Sequence, residues 1–340
     1  MSLFIDSQMF KVGIDNYGLF PLGLDPMGTM QWAKDHGAEG VAFSGLDEPQ
    51  RRKLDCKQLL RMRDFARHKG LFLEWGGGQH IPRDLTTWER KDLFSHNRTA
   101  AEEANKLGVR IIRSCSGGLM RWNPAALPTQ QLLDEMVGAL TAQKQMLMDH
   151  GVVLAIETHF EFTTFELLRL FEACGAKPGE WLGIYLDTMN LLTMLEDPVM
   201  ATERILPWVV STHIKDGGFR VSDNGFNSFT APFGVGVIDF DRIFTLLSGA
   251  NMAPLQALNL NIEDHGGDFD IPVFDPEFRK EFPDLADSEL AKLKILAEKT
   301  KEKMDTGTLS VLDRKDWPGV CEERMAGNIR ALKNLVSNLK

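Results

Sequence analysis

Short apolar runs alternate along the chain with longer segments in which apolar residues recur at helical spacing. Eight of the short runs are rich in Val, Ile, Leu and Phe, which is typical of buried strands. They span residues 10–14, 40–45, 71–76, 109–115, 152–159, 182–188, 209–215 and 257–263. The segments between them predict helices, among them residues 57–70, 127–151, 163–175 and 240–250.

Capping signals mark the ends of several predicted helices. Thr163 precedes Glu166 by three positions, which is a capping-box signature at a helix start, and Gly175 closes the same segment. Asp197 followed by Pro198 predicts an N-cap and the first helical residue. The local signals therefore agree with the hydrophobic pattern, and strands alternate with helices.

This alternation predicts a parallel sheet, and eight strands are the number that closes into a (β/α)8 TIM barrel. A doubly wound open sheet is the alternative, but no G-x-G-x-x-G segment lies between a predicted strand and a helix. We expect residues 1–340 to form a single domain. Residues 264–315 predict an extended loop and helix inserted after the eighth strand, as a lid or as a solvated excursion. Residues 316–340 predict a C-terminal helix.

Composition and charge restrict the classes of function. The chain has 340 residues, of which 43% are hydrophobic and 25% charged, and its formal net charge is −10. This charge argues against binding to nucleic acid, which requires a basic surface. No apolar run is long enough to span a membrane, and the first residues lack a signal-peptide pattern. The four cysteines are far apart, so we expect reduced thiols and a cytosolic location.

Polar residues stand at the carboxyl ends of the last four predicted strands. They are Glu157, Asp187, His213 and Glu263. In a TIM barrel this end of each strand faces the active-site mouth. A single acid there is more often a helix cap or an ion-pair partner, and a lone histidine is more often a packed core residue. Four such residues at successive strand ends instead predict side chains that converge inside the barrel.

Three carboxylates at one place repel one another, and a divalent cation between them removes that repulsion. One imidazole with carboxylate oxygens suits Mn²⁺, Mg²⁺ or Co²⁺. Mn²⁺ is the ion we expect; Zn²⁺, which prefers more nitrogen or sulfur ligands, is a further alternative. The strand ends therefore predict one divalent-metal site.

With these residues the sequence resembles the xylose-isomerase-like barrel superfamily of sugar isomerases and epimerases, which also includes the endonuclease IV branch. The resemblance covers about residues 10–263, and the superfamily's single-metal site of Glu, Asp, His and Glu matches the four residues above. "LAIETH" is similar to a Glu-Asn-His segment of the superfamily, and "HIKD" at 213–216 supports the match. "FGVGVIDF" at 233–240 resembles its Gly-x-Gly-x-x-Asp-Phe segment.

Two departures from the superfamily pattern affect the interpretation. Asn190 stands three residues after Asp187, where many members have a histidine. The endonuclease branch requires additional histidines and an Asp-x-His after the seventh strand, and "DGGFRVSDNGFN" contains no such pair. This argues against a trinuclear DNA-repair site, in agreement with the acidic net charge.

The resemblance implies a divalent-metal-dependent isomerase or epimerase of a keto sugar or a related polyol-derived substrate. Glu157 and Glu263 would exchange the substrate proton through a metal-stabilised enediolate, while Asp187 and His213 hold the metal. It also implies a small-molecule carbohydrate as the partner and a homo-oligomer as the assembly. An alternative is a lyase on the same site, a decarboxylase or dehydratase of a keto sugar acid. A non-catalytic sugar-binding barrel is a remote third possibility.

Further residues are candidates for substrate binding: His159, Lys215, Asn190, Arg113 and His80, with Trp75 or Trp122 as walls of the sugar site. Strand alternation puts His159 on the face of Glu157, and Lys215 on the face of His213. Each has a structural alternative, such as an ion pair of Lys215 with a barrel acid, or of Arg113 with Glu157. If Arg113 and Lys215 both face the barrel interior, they favour the lyase, because they suit an acidic substrate.

Overall fold

The computed structural model describes residues 9–249 and 257–339. The strands are β1 Phe10–Asp15, β2 Gly40–Phe43, β3 Phe72–Gly78, β4 Ile111–Ser114, β5 Val153–Glu157, β6 Leu182–Asp187, β7 Val209–Ile214, β8 Asp216–Ser222, β9 Gly225–Ala231, β10 Leu258–Ile262 and β11 Asp268–Ile271. The helices are α1 Pro26–Asp35, α2 Glu48–Lys53, α3 Cys56–Lys69, α4 Leu93–Leu107, α5 Thr129–Thr141, α6 Lys144–Asp149, α7 Thr164–Ala173, α8 Asn190–Thr193, α9 Pro198–Ile205, α10 Phe240–Gly249, α11 Pro276–Arg279, α12 Asp287–Asp305 and α13 Cys321–Asn338.

Eight parallel strands close into a barrel in the order β1-β10-β7-β6-β5-β4-β3-β2, with the helices outside. Each strand lies within two residues of its predicted ends, so the predicted TIM barrel is confirmed. The apolar residues of β10, Leu258, Leu260 and Ile262, are buried in the hydrophobic core. Helices pack on the barrel through spaced apolar side chains, as α10 does with Phe240, Ile243, Phe244 and Leu247.

One prediction of local structure needs correction. The segment 127–151 is two helices rather than one, α5 and α6, separated near Gln143. The Gln143 side chain is buried there, donates to Ala139 O at 2.8 Å and accepts from Asn97 at 2.7 Å. The predicted helix 240–250 ends at Gly249 in the described part, and residue 250 lies outside it. The residues 1–8 on which the expected lack of a signal peptide rests are also outside the described part.

A polar layer crosses the barrel interior below its carboxyl end. Its centre is Glu74 of β3, which accepts hydrogen bonds from Tyr185, Ser211 and Asn259 at 2.7 Å and from Asn261 at 2.9 Å. Burial raises the pKa of Glu74, while these donors act to lower it. The Tyr185 ring lies edge-on to His213, 4.6 Å between ring centres. This layer forms the floor on which the strand-end residues rest.

A three-stranded antiparallel sheet, β11-β9-β8, stands beside the barrel mouth. The sequence analysis did not predict it, although Asn224-Gly225 is the kind of pair that turns a hairpin. Asp216 connects the sheet to the segment 233–240, because its carboxylate accepts from the backbone N–H groups of Gly234 and Gly236, both at 2.9 Å. A Cβ on Gly236 would lie 2.1 Å from the Asp216 carboxylate, so only glycine fits.

The insertion 264–315 contains β11, α11 and α12, and charged pairs attach it to the rest of the chain. Arg204 binds Glu196 at 2.8 Å and also contacts Glu289 of α12. At the start of the insertion, Asp264 pairs with Arg324 of α13 at 2.6 Å. The expected extended loop and helix are present, together with the strand β11. The lid interpretation stays a prediction, as does the division of the chain into domains. Among the described residues, no helix is long and apolar enough to cross a membrane.

Candidate metal centre and cavity

The four strand-end residues predicted to converge do lie together. His213 Nδ1 is 2.9 Å from Glu157 Oε1, 2.8 Å from Glu263 Oε2 and 3.9 Å from Asp187 Oδ2. One ligand atom from each of the four residues lies within 4.8 Å of the others, and all four side chains are buried. β5 and β6 end on Glu157 and Asp187, whereas Glu263 directly follows β10.

Asp15, the last residue of β1, fixes the orientation of the His213 ring. Its Oδ2 is 3.1 Å from His213 Nε2, and both side chains are fully buried. The Ser44 hydroxyl donates to the same Oδ2, and Tyr17 N donates to Oδ1 at 2.9 Å. Asp15 therefore accepts the Nε2–H of a neutral imidazole and leaves the Nδ1 lone pair facing three carboxylates.

Such a lone pair among carboxylates is repulsive unless a positive charge lies between them. Burial acts to lower the pKa of His213, but Glu263, Glu157 and Asp15 raise that pKa well above its ordinary value. The cluster thus attracts either a proton on Nδ1 or a cation in its place. The donor set of three carboxylates and one imidazole suits a divalent ion with a preference for oxygen. The residues present therefore fit a metal.

Two cations border the cluster and neutralise part of its charge. Lys215 Nζ is 2.9 Å from Asp187 Oδ2 and 2.9 Å from Glu263 Oε1, and the Arg113 guanidinium contacts Glu157. With His213 neutral, four carboxylates including Asp15 face two cations, an excess of two negative charges. A divalent ion balances that excess.

The same neighbours set the pKa values of the carboxylates. Burial alone would raise the pKa of Glu157, but the charge of Arg113, and that of His213 when Nδ1 carries a proton, bring it below its ordinary value. Burial likewise opposes ionisation of Glu263, yet Lys215, together with a protonated His213, holds its pKa well below the ordinary value. Burial raises the pKa of Asp187. Glu157 and Glu263 are therefore ionised at neutral pH.

A cavity of about 610 Å³ opens above the cluster, within the size range of small-molecule sites. Its floor is polar and includes Glu263 and Lys215. Its walls include the apolar side chains Tyr17, Phe20, Leu46, Phe160 and Phe269. Arg314, from the insertion, lies at the wall over the rings of Tyr17 and Trp317, 5.4 and 4.6 Å from their centres. The cavity can therefore bind a small polar molecule at its floor and exclude water with its walls.

Four of the five predicted substrate contacts line this cavity: Arg113, His159, Asn190 and Lys215. Asn190 is 1% exposed, and its side-chain nitrogen has no hydrogen-bond partner among the described residues, so it is available to a ligand. His80 lies elsewhere: it is fully buried, with Nδ1 2.9 Å from the Ser114 hydroxyl, and burial lowers its pKa to about 4.

The two tryptophans suggested as walls do not line the cavity. Trp75 is buried in the core against Phe43, and its ring N–H donates to Glu103 at 3.0 Å. Trp122 lies one layer behind the wall, with its ring centre 6.3 Å from that of Phe269. The wall aromatics lie instead in segments that follow the barrel strands, where hydrophobic periodicity gives no signal: Tyr17 and Phe20 after β1, Phe160 after β5, and Phe269 in β11.

Sequence reasoning missed Asp15 and His265 near the cluster. Asp15 follows the apolar run of the first strand by one position, so the strand-end rule applied to that strand identifies it. His265 Nε2 is 3.6 Å from Glu263 Oε1, and burial lowers its pKa to about 3. It lies in the insertion, outside the pattern of strands.

Comparison with known proteins agrees with this architecture. A family model described as xylose isomerase-like TIM barrel matches residues 30–255. A search of curated protein sequences finds no match. Among solved structures, a D-psicose 3-epimerase with D-tagatose from Clostridium cellulolyticum H10 superposes with a TM-score of 0.59 at 14% identity, covering 89% of this chain and 99% of that one.

Two further solved structures are similar to this chain. A probable 3-DHS dehydratase involved in petrobactin synthesis from Bacillus anthracis has a TM-score of 0.57 at 17% identity, with 80% of this chain and 97% of that chain covered. An L-ribulose 3-epimerase has a TM-score of 0.54 at 19% identity, with 88% and 99% covered. At these identities the similarity shows a shared fold.

Proposed function

The chain belongs to the xylose isomerase-like TIM barrel family, and on that premise we propose that it is a divalent-metal-dependent isomerase or epimerase of a keto sugar. The observation that carries the proposal is the convergence of Glu157, Asp187, His213 and Glu263 beside an open cavity that Glu263 itself lines. The sugar 3-epimerases that share the fold support it, since they are named for this type of reaction.

Asp187 and His213 are the residues best placed to hold the ion. Asp187 Oδ1 accepts the backbone N–H groups of Met189 and Asn190 at 3.0 and 2.9 Å, so the carboxylate is fixed and Oδ2 is turned to the cluster. Asp15 fixes His213 through Nε2. The bound ion, which we expect to be Mn²⁺, would stabilise the negative charge of an enediolate by several kcal/mol.

Glu157 and Glu263 are assigned the proton transfers. In isomerisation, one glutamate takes the proton from the carbon beside the substrate carbonyl and returns it to the neighbouring carbon. In epimerisation, the second glutamate delivers a proton to the opposite face of the same carbon after taking that proton from a substrate hydroxyl or from water, and the first glutamate gives its proton back to the same source. Both are ionised, but contact with Arg113 and Lys215 weakens them as bases. A substrate oxygen that draws either cation away would restore the basicity of its glutamate.

The other cavity residues bind and orient the substrate. The unpaired amide nitrogen of Asn190 donates to a sugar oxygen. Lys215, which is paired with Asp187, lines the same cavity. Phe160 and Phe269, whose ring centres are 4.6 Å apart, cover the site from solvent. Excluding water strengthens the electrostatic interactions on which the glutamates depend.

A lyase acting on a keto sugar acid is the second candidate, because three cations line the cavity: Arg113, Lys215 and Arg314. In a dehydration, a glutamate would remove the proton beside the carbonyl, and the leaving hydroxide would depart as water with a proton from the second acid. In a decarboxylation, carbon dioxide would leave and a glutamate would protonate the remaining carbon. The named dehydratase of the same fold agrees with this alternative.

The test is to incubate the Mn²⁺-loaded protein in D₂O with a panel of ketoses and keto sugar acids. Deuterium at a carbon beside the carbonyl, with a rearranged sugar as product, supports the isomerase or epimerase. Release of CO₂ or net loss of water supports the lyase. If no member of the panel exchanges deuterium or loses either fragment, the proposal fails.

Paired variants assign the proton carriers. Glu263→Gln keeps the shape of the side chain but removes its basicity, and we expect exchange to slow by about 10²- to 10⁴-fold. Glu298→Gln, on the exposed face of α12, is the matched control and should react as the unmodified chain does. Normal exchange in Glu263→Gln would contradict the assigned role.

A further inference from the structure

A second cluster of metal-ligating side chains lies beside the candidate centre. It consists of Cys115, His159 and Glu161, whose ligand atoms all lie within 4.8 Å of one another. His159 Nδ1 is 3.0 Å from Glu161 Oε2, and Cys115 Sγ is 4.0 Å from Glu161 Oε1. Cys115 directly follows β4, while the other two residues follow β5, so two neighbouring strand ends bring them together.

The carboxylate of this cluster is held in place by the backbone. Gly117 N and Gly118 N both donate to Glu161 Oε1, the second at 3.2 Å, and Gly117 has a φ of +73°, which favours glycine. The side chain of Glu161 is 1% exposed. With Oε1 occupied by the loop 115–118, Oε2 is turned toward His159 and is available as a ligand.

The cluster can be reached from the cavity. His159 lines the cavity, and its side chain is 19% exposed, whereas Cys115 lies partly buried behind it. An ion entering from solvent therefore meets the imidazole first, and then the thiol and the carboxylate. Glu157, two residues before His159, is directed instead to Arg113 and His213.

The ligand types distinguish this cluster from the carboxylate-rich centre. A thiolate, an imidazole and a carboxylate form a softer set, which selects Zn²⁺ over Mg²⁺ or Mn²⁺. Adjacent ligands on tetrahedral zinc lie about 3.3 to 3.6 Å apart, from metal–ligand distances of roughly 2.0 to 2.3 Å. His159 Nδ1 and Glu161 Oε2 are 3.0 Å apart and would separate by a few tenths of an ångström, while the thiol of Cys115 lies within 4.8 Å of the other two ligand atoms and would move closer to them.

We propose that Cys115, His159 and Glu161 form a second divalent-metal site, for a thiophilic ion such as Zn²⁺, in the wall of the cavity. Three protein ligands leave the fourth zinc position open, toward the cavity that His159 lines. The proposal does not rest on the reaction proposed for the carboxylate-rich centre. Its occupation would fix His159 and give the wall a positive charge.

The test uses the full chain, stripped of metal and titrated with Co²⁺ as a spectroscopic probe and with Zn²⁺ as a competitor. Asp187→Asn disables the carboxylate-rich centre, and Cys115→Ser removes the thiolate. We expect a thiolate-to-Co²⁺ charge-transfer absorption in the unmodified chain and in Asp187→Asn, removed by Zn²⁺ and absent from Cys115→Ser. No such absorption in Asp187→Asn, or an undiminished one in Cys115→Ser, would overturn the proposal.

Two further measurements cover the case in which Cys115→Ser fails to fold. Glu161→Gln can still accept from the glycine N–H groups but offers no charge, and we expect it to weaken Zn²⁺ binding at least about tenfold. In a Cys56→Ser background, which removes the exposed thiol, Zn²⁺ should slow alkylation of Cys115 at least about tenfold. Unchanged Zn²⁺ binding or an unchanged alkylation rate would identify the cluster as a hydrogen-bonded group without a metal.

Discussion

Replacing Asp15 with asparagine moves one proton on His213 and leaves the shape of the barrel floor unchanged. Both carboxylate oxygens of Asp15 accept hydrogen bonds, Oδ1 from Tyr17 N and Oδ2 from Ser44 and from His213 Nε2. An asparagine has one oxygen only. If that oxygen stays with Tyr17 N, the amide N–H points at His213 Nε2, which must then accept.

When His213 Nε2 accepts this hydrogen bond, the imidazole proton moves to Nδ1, the atom that faces the three carboxylates. The lone pair that would bind a metal is lost, although each ligand residue is still present. Loss of a partner that orients a ligating histidine typically weakens metal binding 10- to 100-fold. Because Asp15 and His213 are both fully buried, water cannot replace the lost contact, and we expect the upper part of that range, about 2 to 3 kcal/mol.

The assay is isothermal titration of the metal-free chain with Mn²⁺, compared between the unmodified chain and Asp15→Asn. Asp216→Asn is the matched control, because it changes another buried aspartate whose hydrogen bonds go to backbone N–H groups rather than to His213. Unfolding curves of both variants check that the fold is retained. Equal Mn²⁺ affinity in Asp15→Asn and the unmodified chain would refute the assigned tautomer.

Three further predictions concern stability. Glu74→Gln puts an N–H donor where the donors of the polar layer need an acceptor, and it should lower the free energy of unfolding in urea by about 1 to 3 kcal/mol. The exposed Glu102→Gln is the control and should leave that free energy nearly unchanged. Equal effects of the two substitutions would contradict the account. The pKa of His80 is lowered to about 4 in the folded chain, so as pH falls from 6.5 to 4 this histidine is protonated in the unfolded chain but stays neutral in the folded one. The free energy of unfolding should therefore fall over that window by up to about 3 kcal/mol because of this residue. His80→Gln should flatten the slope of the free energy of unfolding against pH, and a slope parallel to that of the unmodified chain would refute this. Arg204→Met leaves Glu289 buried without its cation and should destabilise the chain by about 3 kcal/mol and expose the insertion 264–315 to proteolysis; unchanged cleavage would contradict the proposed attachment.

The barrel was predictable from the sequence because its strands are buried on both faces. Continuous apolar runs such as residues 152–156 differ clearly from the amphipathic helices between them, and eight such runs leave few other architectures. The four strand-end residues were predictable once the barrel was predicted, because parallel strands in a barrel bring their carboxyl ends to one place. Asp15 obeys the same rule but lies one residue beyond the predicted end of its strand.

The remaining features depend on contacts that leave little trace in local patterns. His80 follows a strand in a Gly-rich loop and has the composition of a site residue, yet the chain turns it to Ser114. Cys115 and Glu161 are separated in the chain by the helices α5 and α6 and the strand β5, so only the packed barrel shows their proximity. The strand β11 of the insertion pairs with β9, which precedes the insertion, in a register that sequence spacing does not specify. The expected homo-oligomer and cytosolic location stay predictions.

The most direct measurement is anomalous scattering from crystals of the chain grown with Mn²⁺. The account predicts one strong manganese peak at the barrel floor, about 2.0 to 2.6 Å from His213 Nδ1 and from oxygens of Glu157, Asp187 and Glu263. A floor without manganese at saturating concentration, with Lys215 and a protonated His213 holding the three carboxylates, would contradict it.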